Sequence, residues 1–324
     1  PEALGGTLED AGLYHRIIFA EEFHRLGSGV VFADIATHWI GLPPVINAGN
    51  QALVETIAKP VLAGKKRIAF AITEPEGGSD VANMRTSATR DGDHYRLNGA
   101  KTMISGAMRA DIALIVARTG GPGMGGLSLF LVDLHQSGVS RAPVPGLKWY
   151  NTNIGEIRFD DASVPAENLI GSENQGFAPL AGQLNVERFS GIGATFALSR
   201  VCLADAIAWA QNRETFGKRL IDHQTIRHKL ADLVRLVHAG YGYLDQCVWQ
   251  FENGQVSIAD LSLLKITGVR TLEHCARDAM QIMASAAYTG PSRVERIYRE
   301  ARTFAIGGGA EEILLDLAGR QLRF

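Results

Sequence analysis

The chain has 324 residues, 46% of them hydrophobic, enough to bury two or three cores, and its 32 basic and 34 acidic side chains leave a formal charge of −2. That balance excludes the broad basic face that nucleic-acid binding needs, so any phosphate recognition must be local. The three cysteines, Cys202, Cys247 and Cys275, are odd in number and far apart, which argues against a disulfide framework or a zinc site and for buried thiols in a reducing compartment.

Residues 1–66 read as an N-terminal helical domain. LEDAGLYHRIIFAEEFHRLG (8–27) keeps an apolar stripe at helical spacing, and residues 47–64 resume it after the breaker Gly41-Leu42-Pro43-Pro44. Residues 67–176 read as a central β-domain. Short strand patterns run over 67–73, 85–90, 94–99, 110–118, 127–133 and 155–161 with turn residues and no helices between them, which suggests a compact antiparallel barrel or sandwich. From 177 to 324 the helical period returns, as expected for a bundle of antiparallel helices. Leu184 to Lys218 is one uninterrupted helical pattern without proline. Ile226, Leu230, Leu233, Val237, Tyr241, Leu244, Val248 and Phe251 form one apolar seam on a helix that stops at Asn253-Gly254, and Ser257 with Asp260 caps the next. No segment approaches the roughly 18 apolar residues of a membrane span. The first residue, Pro1, is not an initiator, so the true N-terminus is expected to be missing and a targeting segment is unreadable.

Four stretches offer chemistry. In Phe70–Asp80 (FAITEPEGGSD) a strand runs into a turn with two glycines and a serine, whose N–H groups suit phosphate oxygens; a plain turn fits the same residues. In Lys101–Ser105, strand alternation puts Met103 and Ser105 on one face, an apolar wall beside a hydroxyl, or simply a strand of the core. Glu187, among Val186, Phe189 and Ile192, is the sharpest acid: on an inner helix face its pKa would rise toward that of a general base, whereas on the helix surface it would only accompany Arg188. Ile306-Gly-Gly-Gly-Ala310 opens a helix, as a backbone cradle for a carbonyl or anion or as a flexible connector. Glu187 and Arg213 stand roughly 39 Å apart on a continuous helix, too far for one small-molecule site, so the helix is expected to serve two. His223 and His228 lack a companion at metal-ligand spacing, no metal site is expected, and nucleophile-elbow, Walker A and G-x-G-x-x-G motifs are missing.

Taken in order, TEPEGGSD (73–80), YRLNGAKTMIS (95–105), VERF (186–189), RETFGKRLIDHQ (213–224) and IYREARTFAIGGGAEEI (297–313) resemble the acyl-CoA dehydrogenase family over essentially the whole chain. The resemblance implies an α+β fold with an N-terminal helical domain whose first helices are missing here, a central antiparallel β-barrel and a C-terminal four-helix bundle, assembled as a homodimer or homotetramer. It implies FAD, with Phe70, Ile72, Thr73, Gly78 and Ser79 at the flavin and pyrophosphate, Met103, Ile104 and Ser105 on the isoalloxazine, and Ala310 and Glu312 as further cofactor contacts. Arg213, Thr215, Phe216, His223, Gln224 and Gln281 would hold the ADP part of a partner subunit's FAD. Ser79, Arg188 and Gly308 would meet an acyl-CoA substrate. The commonest members carry the catalytic glutamate at the position of Gly308; members resembling the isovaleryl- and long-chain-type enzymes carry it on the long bundle helix, where Glu187 falls. The implied reaction is α,β-dehydrogenation with electrons passed to an electron-transfer flavoprotein, in the bacterial cytoplasm or the mitochondrial matrix. Two positions depart from the pattern: Ala284-Ser-Ala-Ala287 replaces a glycine-rich segment, and Met103 replaces a usual tryptophan. A same-fold flavin oxidase or monooxygenase, and a non-catalytic subunit of a hetero-oligomer, are the alternatives.

Overall fold

The computed structural model describes residues 2–6, 11–147, 149 and 153–324. The early helical pattern resolves into α1 (Leu13–His24), α2 (Val30–Ile35), α3 (His38–Asn47), α4 (Gln51–Leu53), a π turn at Val54–Ala58 and α5 (Lys59–Leu62). Pro43 and Pro44 lie inside α3, which corrects their reading as a breaker. Proline cannot donate to the carbonyl four residues back, and here the freed Trp39 carbonyl accepts a bond from Gln183 Nε2 at 2.7 Å. Two compact units follow from the fold: residues 2–6 with Ala33–Leu184, and residues 11–32 with Asn185–Phe324.

The first unit is built on one eight-stranded sheet of β1 (Ile68–Ala71), β2 (Ser87–Asp91), β3 (His94–Ile104), β4 (Ile112–Arg118), β5 (Leu127–Asp133), β6 (Val139–Pro143), β7 (Gly155–Pro165) and β8 (Leu169–Ile170). Its order is β6-β7-β3-β2-β4-β5-β8, with β1 also on β4. The sheet is mixed, because β1 and β2 both run parallel to β4, which corrects the purely antiparallel expectation. The apolar runs of β4 and β5 are buried on both faces. Ala113, Ile115, Phe130 and Val132 enter one core, while Leu114, Val116, Leu129 and Leu131 pack with Leu42, Val45, Leu53 and Ala58 of the helices. β6 has no alternation to announce it and ends at a proline, as a sheet-edge strand can.

A buried ion pair fixes the glycine-bearing turn of this unit. Lys101 Nζ, on β3, donates to Glu74 Oε1 at 2.8 Å and to the Ile72 carbonyl at 3.0 Å. The Glu74 carboxylate also accepts the N–H groups of Arg85 and Thr86, at 2.5 and 2.9 Å. Burial works to raise the Glu74 pKa, but Lys101 and these N–H donors outweigh it and hold the carboxyl below its usual value. Burial pulls Lys101 down to about 8. A bond from Thr102 N to the Thr73 carbonyl, 2.9 Å, ties the same two segments.

The second unit contains α1 and the long helices. α6 (Phe177–Asn212) enters it at Asn185; β9 (Glu214–Thr215) and β10 (Lys218–Arg219) follow, then α7 (Gln224–Glu252), α8 (Ile258–Met283), α9 (Ser285–Tyr288), α10 (Arg293–Ile306) and α11 (Glu311–Leu322). Helix α6 ends at Asn212, six residues before the pattern's expected end at Lys218, because the chain turns into the β9–β10 hairpin. The seam on α7 is buried at Leu230, Leu233, Val237, Leu244 and Val248. Ser257 caps α8 by accepting the Asp260 N–H at 2.9 Å. An 18-residue window of α6 has a mean hydropathy of 1.4, long and apolar enough to cross a membrane, which corrects the expectation that no segment approaches this; 61% of the window is buried, as in a core helix. The three cysteines are buried and unbridged.

Lys101→Met should cost about 3–5 kcal/mol, since it strands a buried carboxylate, and Lys101→Met with Glu74→Leu should recover much of the loss. Urea unfolding of the two variants against the parent measures both.

Candidate active site

Glu187 stands two residues inside the second unit on α6, with cations from three helices around it: Arg188 on α6, Lys265 on α8 and Arg16 on α1. Helix α8 can approach α6 closely because of Gly268, where a Cβ would lie 2.5 Å from Thr195 Oγ1. Lys265, less than one turn away, thereby reaches the same end of the unit. The Glu187 side chain is half-buried, and the protein packed around it raises its pKa by desolvation, partly offset by Arg188, Lys265 and Arg16 in that order.

Opposite the carboxylate is the loop between α10 and α11. Gly308 (φ 69°) and Gly309 (φ 109°) take backbone conformations that favour glycine, and a Cβ on Gly308 would lie 3.7 Å from Glu187 Oε2. A side chain at position 308 and the side chain of Glu187 therefore address the same space. Arg188 Nε donates to the Gly308 carbonyl at 3.2 Å and its Nη1 to Asn185 Oδ1 at 2.8 Å. Lys265 Nζ donates to the carbonyls of Ala305 and Gly309, at 3.1 and 2.9 Å. The Gly308 N–H meets no carbonyl among the described residues. Ala310 is the N-cap residue of α11 and Glu312 lies exposed in its first turn, with Glu311 paired to Arg270.

The other end of α6 gathers a second group, roughly 39 Å from Glu187 along the axis. Phe216 (φ 51°) and Gly217 (φ 74°) make the two-residue turn of the β9–β10 hairpin, a type I′ geometry unusual for phenylalanine, and the Phe216 ring is 96% exposed. His223 Nε2 lies 3.0 Å from Thr215 Oγ1, and its ring meets Phe216 edge-on at 6.1 Å. The Leu220 N–H bonds to the Arg213 carbonyl, closing the hairpin. The exposed Gln224 begins α7 and the exposed Gln281 is near the end of α8. They share one end of the α7–α8 pair, as the 3.2 Å contact from Lys229 to Asp278 shows. Just beyond Gln281, Ala284 keeps φ 52° and ψ −134°, a backbone shape suited to glycine, although it is alanine.

In the sheet unit, Phe70 and Ile72 are partly buried, and Thr73 is half-buried above exposed Gly78 and Ser79. The N–H groups of Gly78 and Ser79 meet no carbonyl among the described residues. Strand β3 gains a residue against β7 between Lys101 and Ile104, and Met103 sits in this bulge at φ 57° with its side chain 45% exposed. Ser105 is half-buried just beyond the strand. Ile104 differs from the expectation: its side chain lies in the sheet core, so only its main chain is open to a ligand.

Sequence reasoning passed over Lys265, Arg16, Lys101 and Glu74. A signal existed for Lys265, a lone charge inside the apolar run LSLLKITGV, where a lysine on a buried helix face must have a purpose or a partner.

A domain model described as acyl-CoA dehydrogenase, middle domain, matches residues 69–162, and one described as acyl-CoA dehydrogenase, C-terminal domain, matches residues 174–323. An acyl-CoA dehydrogenase of Alternaria alternata is 37% identical over 94% of this chain and 73% of its own length. A caffeyl-CoA reductase-Etf complex subunit of Acetobacterium woodii is 33% identical over 97% of this chain and 83% of its own. The crystal structure of an acyl-CoA dehydrogenase from Geobacillus kaustophilus matches with a TM-score of 0.95 at 28% identity, covering 100% of this chain and 86% of that one. Fold and matches together make the protein an oxidoreductase of the flavoprotein type. It belongs to the acyl-CoA dehydrogenase family, as the sequence motifs implied.

Backbone strain gives two substitutions of opposite sign. Ala284→Gly should raise unfolding stability by about 1 kcal/mol, and Gly309→Ala, with Leu314 Cδ2 already 3.1 Å from the new methyl, should lower it by about 1–3 kcal/mol. Denaturant melts of both variants decide.

Proposed function

We propose that the protein removes hydrogen from the α and β carbons of an acyl-CoA thioester with FAD as cofactor, with Glu187 as the base and an electron-transfer flavoprotein as electron acceptor. The observation that carries this reading is the convergence of Glu187 and Gly308: the carboxylate occupies the space that a side chain at position 308 would take, 3.7 Å from its Cβ.

The chain's own groups suit each task. Desolvation makes Glu187 a stronger base than an exposed carboxylate, and the surrounding cations keep it available as the anion. It is competent only when deprotonated, so kcat/KM falls as pH drops through its raised pKa. As the α-proton leaves, negative charge grows on the thioester oxygen, and the Gly308 N–H is free to meet it. Arg188 holds the neighbouring carbonyl turned into the protein. Ser79 and Arg188 complete the substrate contacts in this reading.

The residues present fit FAD, which the family typically binds. The free N–H groups of Gly78 and Ser79 suit its phosphates, Phe70, Ile72, Thr73 and the exposed Met103 suit the ring, Ser105 supplies a hydroxyl, and Ala310 and Glu312 open α11 beside the glycine loop. FAD bound by this chain would supply the acceptor for the β-hydrogen as hydride. Arg213, Thr215, Phe216, His223, Gln224 and Gln281 lie too far from Glu187 to serve the same protomer's reaction and are assigned to FAD of a second copy, in a homodimer or homotetramer; the exposed Phe216 ring supports this. The complex-subunit relative supports the electron acceptor.

Glu187→Gln should slow flavin bleaching by acyl-CoA thioesters about 10²–10⁴-fold while FAD stays bound. Bleaching at the parent rate, followed anaerobically by stopped-flow absorbance, would remove Glu187 from the reaction. Phe216→Ala should lose FAD on dilution faster than the parent, read from free flavin fluorescence.

A further inference from the structure

Three glycines have no side chains with which to hold a shape, yet the 307–309 loop must present its N–H groups in a fixed direction beside Glu187. What holds it comes from α8. Lys265 is 6% exposed, and its ammonium bridges the last turn of α10, through the Ala305 carbonyl, to the residue before the N-cap of α11, through the Gly309 carbonyl. Arg188 takes the Gly308 carbonyl between them. A trans peptide sets the N–H of the next residue opposite its C=O, so the anchored carbonyls of Ala305, Gly308 and Gly309 fix the N–H groups of Ile306, Gly309 and Ala310, and the peptide that carries the Gly308 N–H is held between these fixed neighbours.

We propose that Lys265 is a positioning residue of this site: by gripping the Ala305 and Gly309 carbonyls it pins both ends of the glycine loop beside Glu187 and so keeps the Gly308 N–H between them in place to meet a thioester oxygen. The same ammonium supplies one of the positive charges that face the base. Around Glu187 these are Arg188 from its own helix, Lys265 from α8 and Arg16 from α1. Around Lys265, the charged groups are Arg188 and Glu187 on α6, Glu311 on α11 and Arg302 on α10. Glu311 and Arg302 are engaged elsewhere, with Arg270 and Glu273. Burial draws Lys265 down to about 8, yet below that pH it remains a cation with its two carbonyls in place.

The proposal rests on the reading of this site as one for an acyl-CoA thioester, and on Glu187 as base only for its pH dependence. The loop is tested without turnover. Holoenzyme of the parent, Lys265→Met and Lys265→Arg is titrated with an acyl-CoA thioester and with the matching thioether, which lacks the carbonyl, following the flavin spectrum anaerobically. The expected result is that both variants lose about tenfold in preference for thioester over thioether binding, because the carbonyl is no longer met in register. In turnover, Lys265→Met should lose about 10²-fold in kcat with a smaller change in KM. Its acid limb of kcat/KM should move up by about one pH unit, and Lys265→Arg, which keeps the charge, should leave that limb in place. An unchanged ligand preference in either soluble variant overturns the positioning role, and a slower Lys265→Met with its acid limb unmoved overturns the charge effect. If Lys265→Met does not fold, the preference measured on Lys265→Arg decides the loop. Glu187→Gln runs beside them: if it keeps the parent reduction rate, the base assignment fails, while the titrations, which need no turnover, still decide for or against Lys265.

Discussion

Two cations holding the carbonyls of a glycine loop are the constraint on which the helical unit's chemistry depends. Between α10 and α11 the chain has given up its side chains to gain close approach, at positive φ, to a carboxylate. Arg188 and Lys265 give back the rigidity that the glycines remove. Burying a lysine is costly, and its depressed pKa records that cost. The fold recovers part of it through two charge-assisted hydrogen bonds.

The sheet unit solves a similar problem in the same manner. Its glycine-bearing turn at 77–79 is exposed, with a tight bridge between Glu74 and Gly77 at its base. There too a buried lysine, Lys101, reaches across to a carbonyl and to the carboxylate behind the turn. Each unit thus sets a flexible, amide-rich loop on a rigid element and fixes it with an ammonium group drawn from a neighbouring strand or helix. Fixed donors need little reorganisation when charge develops in front of them, which is what a site for phosphates or for a developing oxyanion requires.

Local signals made much of this legible in the sequence. The Ser257 cap, the stop at Asn253 and the α7 seam each depend on residues near one another in the chain, and the strands β4 and β5 are apolar enough to declare themselves. Glu187 and the glycine loop were visible as motifs, and the family resemblance joined them. Tertiary partners hid the rest. Pro43 is tolerated inside the helix where Gln183, about 140 positions later in the chain, donates to the Trp39 carbonyl that the proline leaves free. The bulge at Met103 upsets simple alternation along β3 and turns Ile104 into the core. Lys101 and Lys265 were passed over because a lysine between apolar residues shows its role only through a partner distant in sequence.

Helix α6 also has a mechanical side. The stretch of α6 from Glu187 to the hairpin root at Asn212 acts as a lever, with its two loads roughly 38 Å apart. A tilt of about 2° around its middle would swing each end by about 0.7 Å, near the displacement at which a reacting group loses its alignment. Gly193 facing Ile17 of α1 and Gly268 of α8 facing Thr195 let these helices approach α6 closely, and close packing of that kind resists such a tilt.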